Sequence, residues 1–253
     1  DTPALVIAES EGEAQKLCLD INMMLGENAA LLYPEKEFVL ADAEAASREY
    51  EHKRIFALNA MLNGGCRAVI CSASAAAQLT IPPEDLKKRT ITLSGEDEIS
   101  LEDLISRLTA AGYSRADLTE GAGQFSVRGG IVDVFPPNST APYRIELWGD
   151  SVDSLSEFDL ETQRRTATLD NIAVSPARET LFDSAEELCE RIEALSKKLR
   201  GKKAEDIKSR LDEDVKKLRG GVELHSADRF FPLCYEEEAT VFDYAERVFV
   251  CEN

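Results

Sequence analysis

The chain has 253 residues and a formal net charge of −19, with 29 basic against 48 acidic side chains. Such an acidic surface repels phosphate groups on average, which argues against an autonomous nucleic-acid-binding protein. The length allows a substantial core and one to three domains. No apolar run is long enough to span a bilayer and no signal peptide is recognisable, so the sequence predicts a soluble, cytoplasmic protein without membrane contact.

The first part of the chain alternates apolar runs with helical patterns. Ser10 and Glu13 form a capping box before apolar residues at helical spacing, which stop at Gly26. A second helix is predicted over roughly 41–62. Buried strands are predicted at the short apolar runs 4–8, 30–33 and 68–71. This order predicts a parallel α/β part over residues 1–88.

The middle region, residues 89–179, has strand-like alternation. Stretch 124–163 divides into short alternating runs broken by Gly129-Gly130 and other turn residues, which predicts consecutive antiparallel strands. A helix capped by Ser100 precedes them, and residues 172–176 are predicted to be the last strand of this sheet.

The only tryptophan of the chain lies in one of these strands. Within Tyr143–Trp148, alternation places Ile145 on the core face, and Arg144 and Trp148 on the face that should meet solvent. Trp and Arg are the residue types most enriched at binding hot spots. Two interpretations stay open: a half-exposed Trp under a neighbouring loop, or an interaction patch.

The last region, residues 180–253, begins with two apolar stripes at helical spacing, separated by Gly201. They predict two helices joined by a short turn. The run Lys197–Arg219 carries ten basic and five acidic residues, which indicates an exposed helical hairpin or a phosphate-contacting surface. Strand-like chemistry returns at 230–235 and 240–244, and residues 247–251 predict one more buried strand.

Motifs of catalytic or cofactor sites are missing from the sequence. There is no GxxxxGK[ST] phosphate loop and no GxSxG nucleophile elbow. The six cysteines form no CxxC pair, and the two histidines, His52 and His225, lie far from any paired cysteine. The sequence therefore predicts free, mostly buried thiols, no metal, no cofactor and no catalytic residue, hence a protein that is not an enzyme.

Three motifs carry a resemblance to a known family. They are VRGGIVDVFPP at 127–137, YRIELWGD at 143–150 and FDLETQ at 158–163. In their order and close spacing they resemble the UvrB-like amino-terminal module of bacterial transcription-repair coupling factors. The resemblance extends over nearly all of the chain, whereas the RNA-polymerase-binding and translocase domains of that family lie outside it.

The resemblance implies a fold of incomplete RecA-like parallel α/β parts flanking a small β-rich antiparallel α+β domain. Residues 1–88 would correspond to domain 1A, residues 89–179 to domain 2, and residues 180–253 to domain 1B. The chain begins at what resembles the second strand of the RecA-like part, so the preceding loop, degenerate in this family, lies outside it. The Tyr-rich DNA-gripping hairpin of UvrB would fall between Tyr33 and Ser47, where Tyr33 and Phe38 are the only aromatic residues. This favours the coupling factor over UvrB.

The resemblance also implies a partner and a binding site. In the family, domain 2 binds the damage-recognition ATPase UvrA through two arginines and one aromatic residue, which fall here on Arg128, Arg144 and Trp148. The aromatic residue is usually Phe, so Trp148 is a departure. The implied function is a non-catalytic adaptor that recruits nucleotide excision repair to stalled RNA polymerase. Other domains of the longer protein would mask this face, and RNA polymerase and DNA would be reached only through the missing domains.

Two alternatives remain beside this interpretation. The chain could be a fragment of a UvrB-type DNA-repair helicase or ATPase, or a DNA-binding module that uses Lys197–Arg219. From the alternation of the strand, Arg144→Glu is expected to abolish UvrA binding while leaving the fold intact.

Overall fold

The computed structural model describes residues 2–36, 48–201, 203–222, 224 and 227–251. They form two compact units: the first holds the described residues within 2–36, 48–179 and 239–251, and the second those within 180–238. The fold is mixed α/β, as predicted, with a four-stranded parallel sheet and a six-stranded, mainly antiparallel sheet in the first unit.

The elements of the first unit follow in chain order: β1 (Ala4–Ala8), α1 (Glu11–Leu25), β2 (Ala30–Leu32), α2 (Glu49–Asn63), β3 (Ala68–Ser72), α3 (Ala73–Ala76), α4 (Pro83–Arg89), β4 (Ile91–Ser94), α5 (Leu101–Ala110), β5 (Ser114–Arg115), β6 (Gln124–Arg128), β7 (Ile131–Phe135), β8 (Tyr143–Trp148), β9 (Ser151–Phe158), β10 (Arg165–Leu169), β11 (Asn171–Val174) and, near the end of the chain, β12 (Val248–Val250). The second unit contains α6 (Ala185–Lys198), α7 (Ala204–Arg219) and α8 (Phe231–Cys234).

The parallel sheet has the strand order β12-β1-β3-β2. Its central strand β3 is buried along its whole length, which explains its continuous apolar sequence. Helix α1 starts where predicted, because the Ser10 side chain accepts a hydrogen bond from the Glu13 amide at 3.3 Å. Helix α2 ends at Gly64, whose φ of +79° suits glycine. The start predicted for this helix, residues 41–47, lies outside the described residues.

The six-stranded sheet has the order β10-β9-β8-β7-β6-β5, and its pairs are antiparallel except β5 with β6. One face of it is apolar. Phe125, Val132 and Ile145 on this face pack in one core cluster with Leu104 and Leu108 of α5. The core face predicted for β8 is therefore confirmed at Ile145, which is fully buried.

The strand predicted to close this sheet belongs to another one. Strand β11 pairs with β4 in a two-stranded sheet, where Ile172 lies opposite Leu93 and Val174 opposite Ile91. The edge of the six-stranded sheet next to β9 is formed by β10, whose polar sequence RTATL gave no strand signal. An edge strand needs few buried side chains, so its residues can be polar without loss of pairing.

A buried ion network lies within the first unit, between α2 and the segment after β11. The guanidinium of Arg54 donates from Nε to Glu179 Oε1 at 2.6 Å and from Nη1 to the Pro34 carbonyl at 2.9 Å. Lys36 forms a second ion pair with Glu179. Burial alone would raise the pKa of Glu179, but the charges of Arg54 and Lys36 lower it, so the carboxylate is ionised in the core.

The second unit is built on the predicted helical hairpin. The apolar stripes of α6 and α7 form one cluster, with Leu188 and Ile192 packed against Leu211, Val215 and Leu218. At its base, Arg219 binds Glu186 and Glu193, with its Nη2 2.6 Å from Glu186 Oε1 and its Nη1 2.7 Å from Glu193 Oε1.

Three predictions for the last part of the chain were wrong. Residues 230–235 form helical turns, α8 among them, and Pro232 lies at the start of this helix, where its missing amide costs nothing. Residues 241–244 form a 3-10 turn closed by a capping box between Thr240 and Asp243. Strand β12 is exposed rather than buried, because it occupies the edge of the parallel sheet.

Cys18, Cys71 and Cys189 are buried, whereas Cys251 is exposed. None of the helices within the described ranges is both long enough and apolar enough to cross a membrane.

Candidate protein-binding site

The candidate residues lie on the face of the six-stranded sheet that is turned away from its core cluster. Across this face the strand register aligns Ser126, Asp133, Arg144 and Ser156, one from each of the strands β6 to β9. We call it the outer face. Alternation along β8 assigns Trp148 to the outer face as well, two residues beyond Glu146.

Asp133 is the centre of the polar contacts on the outer face. Its Oδ1 accepts from Arg144 Nε at 2.6 Å, and its Oδ2 accepts from Arg144 Nη2 at 2.8 Å. Arg128 Nη2 donates to the same Oδ2 at 2.6 Å. One carboxylate that is only 1% exposed thus holds two guanidinium groups, one of them in the bidentate geometry that makes such pairs strong.

Two loops cover this half of the outer face. Thr119 Oγ1 is within 3.1 Å of both Ser126 Oγ and the Asp133 carbonyl, and the Gln163 carbonyl accepts from Arg144 Nη1 at 3.0 Å. Phe158 lies under the guanidinium of Arg144, with 4.7 Å between the guanidinium carbon and the ring centroid. The loops before β6 and after β9 therefore exclude solvent from the Asp133–Arg144 pair.

The predicted exposure of Arg144 was wrong. Alternation assigned the residue to the correct face, but Arg144 is only 9% exposed, because the loop after β9 folds over it. Its Nε, Nη1 and Nη2 atoms all donate within the chain. The hydrogen bond to Asp133 raises the pKa of Arg144 further above its ordinary value, so the guanidinium is charged at any practical pH.

The other half of the outer face is open, and we call it the open patch: Arg128, Glu146, Trp148 and Arg165. Trp148 is 83% exposed, which is unusual for so large an apolar side chain. The side chain of Arg128 is 44% exposed despite its contact with Asp133. Of the three predicted site residues, the structure thus leaves Arg128 and Trp148 accessible and buries Arg144.

Sequence reasoning missed Asp133 and Arg165 on this face, and it gave no role to Glu146, although alternation along β8 places Glu146 there. Asp133 interrupts the apolar strand Ile-Val-Asp-Val-Phe, and this interruption was the available signal for a paired, buried carboxylate. Glu146 and Arg165 form an ion pair between β8 and β10. No sequence signal connected them, since β10 was not recognised as a strand.

A sheet that packs on an apolar core with one face and exposes an indole on the other has the features of an interaction domain. Residues 91–179, which include this sheet, match the family described as the UvrB interaction domain.

The whole chain is similar to transcription-repair-coupling factors. The protein of that name from Bacillus subtilis is 31% identical over 249 residues, which cover 96% of this chain and 21% of the relative. The one from Haemophilus influenzae is 26% identical over 220 residues, covering 87% of this chain and 19% of the relative. The resemblance inferred from the motifs is therefore confirmed. The chain corresponds to a region of transcription-repair-coupling factors that contains a UvrB interaction domain, and it spans about a fifth of the length of these curated relatives.

Proposed function

We propose that this chain is a non-catalytic adaptor module that binds the damage-recognition protein UvrA through the open patch. Within a longer coupling factor it would thereby recruit nucleotide excision repair to stalled RNA polymerase. The observation that carries the proposal is Trp148, an 83% exposed indole on the outer face of a sheet that matches a UvrB interaction domain.

The chemistry of the open patch suits a protein partner. The indole supplies a large apolar area that loses little conformational entropy when it is buried. Arg128 offers a planar guanidinium that can pair with a carboxylate in two-point geometry. The complementary surface on UvrA is therefore an apolar notch with an acidic side chain at its edge.

Arg144 has a different role in this proposal from the one that the resemblance implied. Its three donor nitrogens are engaged within the chain, so we assign it as a positioning residue: it fixes Asp133, which in turn holds Arg128. In this proposal Trp148 and Arg128 contact UvrA directly, whereas Arg144 acts through Asp133 on Arg128.

The division into three parts is also part of the proposal. Residues 1–88 and 180–253 serve as scaffolds, and residues 89–179 carry the binding function. In the longer protein another domain masks the open patch until it is needed, which would keep an exposed indole from non-specific contacts. RNA polymerase and DNA are contacted by other domains, and the protein acts in the cytoplasm.

The test is the affinity of the chain for purified UvrA, with Trp148→Ala as the decisive variant. We expect a loss of roughly thirtyfold or more, which corresponds to about 2 kcal/mol for a hot-spot aromatic residue. The melting temperature should not change, because the side chain is solvated in the free protein. Tyr50→Ala is the matched control, since Tyr50 is also an exposed aromatic residue but lies on α2.

Two outcomes would contradict the proposed function. Equal affinities of Trp148→Ala and wild type, or a wild-type chain that does not bind UvrA, would remove the open patch as the binding site. Saturable ATP binding by the chain, with turnover above background, would instead favour the helicase-fragment alternative.

A further inference from the structure

A second exposed arginine lies on the outer face, at the far edge from Arg128. Arg165 is the first residue of β10 and pairs in register with Phe158 of β9. Because Phe158 stacks under Arg144 on the outer face, its register partner Arg165 belongs to that face too. The Arg165 side chain is 48% exposed, slightly more than that of Arg128.

Glu146 holds Arg165 over the sheet. Its carboxylate forms an ion pair with Nη2 of Arg165 and accepts a hydrogen bond from Ser154 Oγ at 3.0 Å. The hydrogen bond from Arg165 lowers the pKa of Glu146 below its ordinary value, so the carboxylate is charged at neutral pH. Since Glu146 belongs to β8, the ion pair draws the guanidinium away from the sheet edge and towards the strand that carries Trp148.

The outer face thus presents two accessible guanidinium groups, and they lie on either side of β8. Arg128 comes from β6 and Arg165 from β10, whereas Arg144, on β8 itself, is buried by the loops. The contact with Glu146 uses Nη2, and about half of the Arg165 side chain stays exposed to solvent. A guanidinium has five N–H donors in a rigid fork, so one such contact still permits pairing with a carboxylate of a partner.

We propose that Arg165 is a further contact residue of the UvrA-binding face, so that this face carries an accessible cation on either side of β8, the strand of Trp148, instead of on one side. This inference rests on the proposed function. It specifies the surface of UvrA that fits the open patch: an apolar notch for the indole and acidic side chains placed to meet Arg128 on one side of β8 and Arg165 on the other. Neither family motif nor strand alternation indicated Arg165, because β10 has no apolar pattern.

The test measures association and dissociation rates with purified UvrA at low and physiological salt, for the wild-type chain and for Arg165→Gln and Arg165→Glu. The Gln variant removes the charge and keeps most of the length, while the Glu variant also places a carboxylate near Glu146. Arg115→Glu is the charge-matched control. Arg115 lies in the same sheet but opposite the core residue Phe125, hence on the other face.

We expect Arg165→Glu to weaken UvrA binding roughly tenfold or more and Arg165→Gln severalfold, about as found when exposed charges at an interface are changed. Most of the loss should be in the association rate, with a weaker dependence on salt, since exposed charges act mainly on the encounter. Arg115→Glu should stay within about twofold of the wild type.

Trp148→Ala in the same series separates the two proposals. If Trp148→Ala weakens binding while both Arg165 variants behave like Arg115→Glu, the Arg165 contact is wrong and the proposed function stands. If the Trp148 and Arg165 variants all bind like wild type, both proposals fall. A loss with Arg165→Glu but none with Arg165→Gln would also overturn the contact, since repulsion from the new carboxylate would then explain it.

Discussion

Arg144 lies buried on the outer face, under the loop after β9. It forms a bidentate pair with Asp133, and both residues are shielded by loops. Removing one partner of a buried pair leaves the other charge without compensation, which typically costs about 3–5 kcal/mol. We therefore expect Arg144→Glu to destabilise the fold by about this amount, contrary to the expectation from alternation.

Denaturant unfolding of the chain measures this effect. Arg165→Glu is the suitable comparison, since it makes the same change on the same face at an exposed position and should stay within about 1 kcal/mol of the wild type. An Arg144→Glu variant as stable as the wild type would show that the pair is not buried in solution.

The positioning role of Arg144 is testable with a double-mutant cycle. If Arg144 acts through Asp133 on Arg128, the loss of UvrA affinity caused by Arg144→Ala should largely vanish in an Arg128→Ala background. A direct contact of Arg144 with UvrA would instead give additive losses. A general loss of folding would instead lower the fraction of the chain that can bind UvrA in both backgrounds. Titration of the chain against a known concentration of UvrA measures this fraction.

At the level of elements, the turn between β6 and β7 contains the two glycines of the motif VRGGIVDVFPP and lies close to the backbone of β8. Arg128 pairs with Ile131, so Gly129 and Gly130 form a two-residue connection, and Gly129 has a φ of +61°. A Cβ on Gly130 would lie 2.6 Å from the Leu147 carbonyl oxygen. The Gly130 carbonyl in turn accepts from the Leu147 amide at 2.8 Å. The second glycine of the motif is thus required by the close approach of β8.

We expect Gly130→Ala to destabilise the chain by about 1–3 kcal/mol, as overpacking against backbone usually does. Because Leu147 precedes Trp148, the displaced backbone should also weaken UvrA binding. Gly121→Ala is the control, since a Cβ there meets no atom within 4 Å. The measurement is the melting temperature of the two variants. Equal melting temperatures would contradict the prediction, since the turn would then accommodate the methyl group without loss of stability.

At the level of the whole molecule, charge distribution limits what the chain can bind. The net charge is −19, yet Lys197, Lys198, Arg200 and Lys203 are exposed at the tip of the α6–α7 hairpin, and none of them forms an ion pair with another described residue. We expect weak duplex-DNA binding that is detectable at low salt only. The basic residues at the tip attract the DNA phosphates, but the acidic remainder of the surface repels them.

Fluorescence anisotropy with a labelled duplex over a salt series tests this expectation. Lys197→Glu combined with Lys203→Glu should remove the residual binding, whereas Lys16→Glu on α1 should not. Micromolar or tighter binding at physiological salt, lost in the double variant, would favour the alternative of a DNA-binding module.

The sequence was sufficient to predict the features that depend only on residues close to one another in the chain. Ser10 and Ser100 each begin a helix where predicted, because the side-chain oxygen accepts a hydrogen bond from an amide of the first helical turn. The alternation along β8 identified the core face, because a strand turns successive side chains to opposite sides whatever surrounds it. The interaction domain itself was recognised from three motifs, since the turn glycines and paired charges of its sheet fix the residue types there.

Which part of the outer face meets solvent depends on segments distant in sequence. Alternation cannot tell Arg144 from Trp148, since both lie on the same side of β8. The loop that supplies the Gln163 carbonyl buries the first and leaves the second exposed. Likewise, β10 is a strand because the edge of β9 pairs with it and not because its own residues favour one. Pairing and loop cover are non-local, and so the open patch, with Arg165 in it, became visible only in the folded chain.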